Sequence, residues 1–180
     1  MSAKQHQLFA VTYWLLQAAT LFMFLIVGAI VLGLVAFLGA SAFGVLTAPE
    51  VAEVVRDLGM PESQIVLVGT FALLASLVCV MLLTFAVMLT TRIVESAMEG
   101  NPFVAKNADR LMQIGWLLLA MEVAGWLIGP AIIAMVPQKL ADGITFEASV
   151  VGPIGILLVF VLAQIFRHGT QLRDDLEGTV

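Results

Sequence analysis

The sequence is poor in ionisable side chains: Asp, Glu, Lys and Arg together make up 12% of its 180 residues. It has one cysteine, Cys79, and two histidines, His6 and His168. A single cysteine excludes an intrachain disulfide and a dithiol redox relay. Two histidines outside the apolar stretches do not provide paired axial ligands for a buried haem, and they are too few for a metal site. The sequence therefore predicts no cofactor and no metal.

The motifs of common enzyme classes are also missing. The sequence has no Ser-His-Asp set, no HExxH metalloprotease motif and no glycine-rich phosphate loop. We therefore expect a protein that is not an enzyme.

Apolar residues, in contrast, make up 61% of the chain, and the mean hydropathy is +1.07. Both values lie outside the range of soluble domains. Four long apolar stretches, at residues 11–38, 65–90, 111–136 and 148–166, have the length that a helix needs to cross about 30 Å of hydrocarbon. The first stretch is about twice as long as the apolar region of a signal peptide, so we expect it to be retained. The predicted fold is all-α, a single integral membrane domain built as a four-helix bundle.

The distribution of lysine and arginine predicts the orientation. With four spans, the N-terminus, the loop 91–110 and the tail 167–180 share one side of the membrane. That side holds six basic residues and the other side holds two: Lys4, Arg92, Lys106, Arg110, Arg167 and Arg173 against Arg56 and Lys139. The positive-inside rule therefore places both termini in the cytoplasm.

The first external connection has a helical pattern of its own. Its apolar residues Val51, Val54, Val55 and Leu58 recur at helical spacing between charged residues. This pattern predicts a short amphipathic helix between the first two spans, on the external side.

The cytoplasmic loop and tail carry residues that typically begin or end helices. Gly100 is placed to close the second helix in a left-handed conformation. Asn101 then fits an N-cap, with Pro102 as the first residue of the next helix. Gly169 is placed to end the fourth helix, which would leave a solvated tail. Capping alone accounts for these residue types, and a binding surface is the alternative interpretation.

Glu122 is the only charged residue inside an apolar stretch. We expect it about 16 Å into the third span, near the bilayer centre. An acid there should face the helix bundle and find a hydrogen-bond partner or carry a proton. Polar residues at matching depth are Thr20, Ser76 and Cys79. We interpret this group as a polar packing clamp, with a proton or cation site as the alternative.

Two glycines follow Glu122 at a spacing of four residues. Gly125 and Gly129 form a GxxxG step, which allows the backbones of two membrane helices to approach closely. The sequence therefore predicts that these two positions are helix-packing sites.

The loop and tail also resemble a known family. The motif Glu99-Gly100-Asn101-Pro102-Phe103, followed by Asn107, Arg110-Leu111 and Ile114-Gly115, resembles the bacterial family catalogued as domain of unknown function 2975. The tail resembles it too, through Phe166-Arg167-His168-Gly169, Leu172-Arg173-Asp174-Asp175 and Thr179-Val180. His168 stands where the family usually has an acidic residue. The resemblance covers all four helices and implies no enzymatic activity.

The resemblance implies a regulatory accessory, because members of the family are often neighbours of small helix-turn-helix regulators. We expect a multi-pass protein of the bacterial inner membrane that binds such a soluble regulator, binds no nucleic acid directly and forms a homo-oligomer. A small proton- or cation-linked transporter or channel-like oligomer centred on Glu122 is the alternative. The residues expected to contact the partner are Asn101, Phe103, Asn107, Arg110, Arg167, Arg173, Asp174 and Asp175.

Overall fold

The computed structural model of the chain describes residues 3–142 and 151–177. Within these ranges all regular structure is helical, which confirms the all-α class. The helices are α1 (Ala3–Ala42), α2 (Pro49–Asp57), α3 (Glu62–Met98), α4 (Ala105–Met135), α5 (Gln138–Ala141) and α6 (Val151–Glu177), and a 3-10 turn, Val45–Thr47, precedes α2. A helix thus occupies the connection in which the sequence predicted one, and its side of the membrane stays a prediction.

The long helices α1, α3, α4 and α6 are each apolar and long enough to cross a membrane. This confirms the four predicted membrane-length helices. Large apolar side chains on them are exposed, for example 70% for Trp14, 72% for Leu32 and 68% for Leu127. Helices that are apolar on all sides require an apolar surrounding, which lipid provides and water does not.

The chain divides into two compact units. The first contains α1 as far as Phe24, the segment Leu82–Glu122 and α6. Small residues occupy much of its core, among them Ala86, Ala108 and Ala163, each at most 5% exposed. Small side chains let helix backbones approach closely, and this is how membrane helices gain packing energy.

The second unit contains Leu25–Met81 and the chain from Val123 through α5. The ring of Phe37 lies so close to Gly69 that a Cβ there would be 2.6 Å from the ring's Cζ. The side-chain amide of Gln64 donates a hydrogen bond of 2.7 Å to the carbonyl of Met135, one of the last carbonyls of α4. This bond satisfies an acceptor that the helix itself leaves unpaired.

The end of α3 follows the sequence prediction closely. Gly100 has a φ of +84°, in the left-handed region. Its N–H donates to the carbonyl of Ala97, and the N–H of Asn101 donates to the carbonyl of Ser96. These two bonds form a Schellman motif, which confirms the predicted cap at Gly100.

The predicted start of the next helix is wrong. Asn101 is not an N-cap, because α4 begins at Ala105. The backbone N–H of Asn101 completes the cap of α3, and its side chain accepts a hydrogen bond from Arg173. Asn101 therefore caps α3 and also contacts α6.

The predicted end of the fourth helix is also wrong. α6 passes through Gly169 and continues to Glu177. A Cβ at Gly169 would lie 3.3 Å from Cδ1 of Phe103, so the glycine makes room for that ring. The segment 167–177 is therefore a helix packed on the α3–α4 loop, and it is not a loose tail.

Candidate functional site

The α3–α4 hairpin is held by Asn107, which is completely buried. Its Nδ2 donates to Oγ of Ser96 and to the carbonyl of Pro102 at 2.9 Å. Its Oδ1 accepts from Nη1 of Arg110 at 2.8 Å. A buried amide with both its donor and acceptor groups paired fixes one conformation of the loop around it.

This burial corrects one sequence prediction. Asn107 does not contact a soluble partner directly, because none of its surface is accessible. Arg110 is half-buried, and the same Nη1 donates to the carbonyl of Arg92 on α3 at 3.0 Å. Asn107 and the anchored end of Arg110 therefore position the loop.

Three contacts join the α3–α4 loop and the start of α4 to α6. The guanidinium of Arg173 donates to Oδ1 of Asn101. The rings of Phe103 and Phe166 pack with their centroids 5.1 Å apart. At the start of α4, Nη2 of Arg167 lies 2.9 Å from Oδ1 of Asp109.

The ion pair contributes little stability by itself. The side chains of Arg167 and Asp109 are 53% and 61% exposed, and exposed pairs contribute about 0–1 kcal/mol. The rings contribute more, because an aromatic pair adds about 0.5–1.5 kcal/mol beyond its buried area. Buried Thr170, 7% exposed, lies between the charged residues on α6. The loop and the end of α6 thus form one continuous piece of structure.

We call the exposed side of residues 99–109 and 167–175 the polar face. Exposed charges of both signs lie on it: Glu99, Lys106, Asp109, Arg167, Arg173 and Asp175. Two apolar side chains are also exposed there, Phe103 by 45% and Leu172 by 55%. The structure therefore brings the family-like segments of loop and tail together. The side chain of Asp174 lies outside the described residues, as do Thr179 and Val180.

Glu122 lies at a second site, against α6. A Cβ at Gly152 would be 2.7 Å from Oε2 of Glu122 and 2.9 Å from its Cδ and Oε1. The carboxylate therefore packs directly on the backbone of α6, which only glycine permits without displacing it. Gly152 is the second residue of α6, so Glu122 lies against the first turn of that helix. The depth of Glu122 in the bilayer stays a prediction.

The surroundings of Glu122 are apolar. It lines a cavity of about 570 Å³ whose other walls are Leu118, Met121, Val151, Gly152, Gly155, Ile156 and Val159. Within the described part of the chain its carboxylate makes no hydrogen bond. A clamp hydrogen-bonded to hydroxyls of other helices is therefore not formed by these residues.

The polar residues expected beside Glu122 have other environments. Thr20 donates to the carbonyl of Leu16 in its own helix and lines a separate cavity of about 160 Å³ with Arg92. Ser76, in the second unit, donates to the carbonyl of Leu73. Cys79 is a half-buried free thiol. The hydroxyls of Thr20 and Ser76 thus hydrogen-bond to carbonyls of their own helices.

The predicted packing role of Gly125 is not supported. A Cβ at this position would meet no atom within 4 Å among the described residues. The close approach on α4 occurs instead at Gly115, where a Cβ would lie 2.7 Å from Cε1 of Phe160. Phe160 in turn packs edge-on against Trp116 at 5.4 Å. For Gly129 the helix-packing role stays a prediction.

Sequence reasoning missed Gly152 and Phe160 as contact residues. A glycine in an apolar stretch indicates that another group approaches the helix closely, but it does not show which group. Phe160 is one of 11 phenylalanines in the chain, so the sequence does not single it out. Among the residues that the structure describes, no group of three His, Cys, Asp or Glu side chains is arranged to hold a metal ion.

Comparison with known families identifies the family of the chain. Residues 47–180 match the family described as "Protein of unknown function (DUF2975)". The matched range includes α2 to α6 and leaves out α1, which the resemblance was expected to include. Comparisons with curated proteins and with solved structures find no match.

Proposed function

The chain belongs to the DUF2975 family of proteins of unknown function, and we propose that it is a non-enzymatic, multi-pass protein of the bacterial inner membrane that binds a soluble regulator. The binding site is the polar face, and the protein acts as a regulatory accessory. The observation that carries this proposal is the packing of the α3–α4 loop on the end of α6, through Asn101–Arg173, Phe103–Phe166 and Asp109–Arg167.

The packing supports binding because it orders the surface before a partner docks. A surface that is already ordered loses little conformational entropy when a partner docks. Two contacts from the loop and one from the start of α4 hold this hairpin on one helix, which restricts the positions of the exposed groups. A solvated tail would have had to order itself on binding.

The chemistry of the face suits a charged protein partner. Charges of both signs favour specificity and steering over affinity alone. The exposed ring of Phe103 and the exposed Leu172 provide apolar contact area between the charges. Aromatic side chains are enriched among the residues that dominate binding energy at interfaces.

A small helix-turn-helix regulator is the partner we propose. Such regulators contact DNA phosphates through basic side chains, and Glu99, Asp109 and Asp175 are exposed carboxylates on the polar face. Carboxylates that pair with those basic side chains would compete with DNA. Binding to the membrane protein would then keep the regulator away from its operator.

Charge reversal with a matched control tests the proposal. The test variant is Glu99→Lys/Asp175→Lys, on the polar face. The control is Glu53→Lys/Asp142→Lys, which makes the same changes at exposed positions of the second unit. The measurement is the Kd of the full-length protein in nanodiscs for a purified small helix-turn-helix regulator from the same organism.

We expect binding by the wild type and by the control within about twofold of each other. The test variant should bind at least tenfold more weakly, a loss of about 1.4 kcal/mol. Equal Kd values for both variants, or no binding by the wild type, would overturn the proposal.

One observation favours a second function, a proton- or cation-linked transporter or channel-like oligomer. Glu122 has no hydrogen-bond partner among the described residues and lines an apolar cavity. An intramembrane acid of this kind is a candidate site for a proton or cation. Glu122→Gln keeps the shape and removes the charge. This variant should abolish proton or cation flux into liposomes, and flux equal to that of the wild type would exclude the role.

A further inference from the structure

A cavity of about 280 Å³ lies between α3 and α4, beside the polar end of both helices. Its lining is Leu89, Arg92, Lys106, Asp109, Arg110 and Gln113. Three cationic side chains and one carboxylate therefore face a space large enough for a phosphate group. Leu89, which is only 3% exposed, is the apolar residue of the lining.

The charge balance of this cavity is positive. Its one carboxylate, Asp109, is already paired with Arg167 of α6 at 2.9 Å. Arg92, Lys106 and Arg110 have no carboxylate partner among the described residues. Three cations without a counter-ion repel one another, and an anion placed between them removes that repulsion.

Arg110 is held in position for an anion. Its Nη1 donates to the carbonyl of Arg92 and to Oδ1 of Asn107. Within the described part of the chain, its Nε and Nη2 donate no hydrogen bond. A guanidinium fixed at one nitrogen keeps two further donors in a geometry that suits a phosphate.

The exposed side of α4 shows where the cavity lies relative to lipid. Lys106, Gln113 and Trp116 are exposed along one side of the helix, and Ala120 follows one turn later. The side thus changes from charged to apolar, with Trp116, 60% exposed, at the transition. Tryptophan is enriched at the level of lipid headgroups, so we expect the cavity to open at that level.

We propose that this cavity binds the phosphodiester headgroup of an anionic phospholipid. Arg92, Lys106 and Arg110 contact the phosphate, and the acyl chains lie along the apolar surface beside Trp116. Basic pockets between membrane helices favour such headgroups. The lipid is favoured over free phosphate because the cavity adjoins an apolar surface that only a lipid would cover. The cavity shares Lys106 and Asp109 with the edge of the polar face, but lipid binding is a separate activity from the regulator binding proposed there.

Lipid titration of the full-length protein in detergent tests the site. Native mass spectrometry counts bound phosphatidylglycerol, phosphatidylcholine or inorganic phosphate at each concentration. The test variant is Arg92→Gln/Lys106→Gln. The control, Arg56→Gln/Lys139→Gln, removes the same two residue types at exposed positions of the second unit. Arg110 is left unchanged because its hydrogen bonds hold the hairpin.

We expect the wild type and the control to bind phosphatidylglycerol in preference to phosphatidylcholine. The test variant should bind phosphatidylglycerol roughly 10- to 30-fold more weakly, since two cations near the headgroup are lost. Inorganic phosphate should not displace the lipid. Equal binding of both lipids by the wild type, equal losses in both variants, or displacement by phosphate would overturn the proposal.

Folding of the variants is checked separately. Arg92→Lys/Lys106→Arg exchanges the two cations and keeps both charges. It should retain the preference for phosphatidylglycerol, because the attraction depends mainly on charge. Loss of the preference in this variant, with an unchanged helical circular dichroism spectrum, would show that charge at these positions does not bind the lipid.

Discussion

Oδ1 of Asn101 accepts a hydrogen bond from the guanidinium of Arg173, and the two residues are far apart in the sequence. Asn101 follows the last turn of α3, and Arg173 lies in the last turns of α6. The contact couples the α3–α4 loop to the end of the last helix. The fold therefore makes the loop and the end of α6 one surface. Removal of the residues on either side of this contact tests that conclusion.

Truncation of α6 should destabilise the protein. A chain ending after Phe166 loses Arg167, Thr170 and Arg173, and with them two of the three contacts to the loop and the start of α4. A chain ending after Arg173 keeps all three and is the control. We expect the first truncation to lower Tm in detergent by several degrees, as loss of about 1–2 kcal/mol would.

The opposite outcome is easy to recognise. Equal Tm values for the two truncated chains would mean that the end of α6 contributes nothing to the loop. The polar face would then have no fixed structure.

Replacement of Asn107 should cost more than that of any exposed polar residue on the same helix. Asn107 is fully buried, and Asn107→Ala leaves the carbonyl of Pro102 without its side-chain donor and removes one of the two acceptors of Arg110 Nη1. We expect a loss of about 2–3 kcal/mol in the free energy of unfolding. Gln113→Ala, at an exposed position of α4, should change it by less than about 0.5 kcal/mol.

Chemical denaturation in mixed micelles measures both values. If Asn107→Ala unfolds at the same denaturant concentration as Gln113→Ala, the hydrogen bonds of Asn107 do not hold the hairpin.

Substitution of two glycines of α4 by alanine should have opposite effects on stability. At Gly115 a Cβ would lie 2.7 Å from the ring of Phe160, and such overpacking costs about 1–3 kcal/mol. At Gly125 a Cβ meets nothing within 4 Å among the described residues. Gly125→Ala should therefore be neutral or stabilise the helix by up to about 1 kcal/mol. Thermal unfolding of both variants decides the point, and a larger loss at Gly125 would contradict the packing described above.

The lengths of the apolar stretches and the cap at Gly100 were predictable from the sequence. Span length depends only on consecutive apolar residues, and a glycine before Asn-Pro is typical of a helix C-terminus. Both signals are local. Neither needs information on what a residue contacts in the folded chain.

The errors came from residues whose role depends on a distant partner. Asn101 is a residue type that favours N-caps. In the structure its side chain accepts a hydrogen bond from Arg173, and its N–H donates to the carbonyl of Ser96 in α3. Gly169 resembles a helix stop, yet it is where Phe103 packs on α6. The contact of Glu122 was missed because Gly152 has no side chain to suggest it. Local sequence patterns do not predict such contacts between residues far apart in the chain.

The orientation in the membrane remains a prediction with a direct test. In a Cys79→Ser background, Lys139→Cys and Gln171→Cys place single thiols at exposed positions near opposite ends of the spans. The six-to-two distribution of basic residues predicts that position 139 faces outward. A membrane-impermeant maleimide should label Lys139→Cys in intact cells and Gln171→Cys only after lysis. Labelling of Gln171→Cys in intact cells would reverse the orientation.

The central claim is that the polar face binds a soluble regulator in the cytoplasm, and photo-crosslinking in living cells tests it most directly. A photoreactive phenylalanine analogue replaces Leu172, which is 55% exposed on the polar face, or Leu140, which is 38% exposed on α5. The analogue at 172 should crosslink to a small helix-turn-helix regulator, identified by mass spectrometry of the crosslinked product, and the analogue at 140 should not. Crosslinking of the regulator from position 140, or from neither position, would contradict the claim.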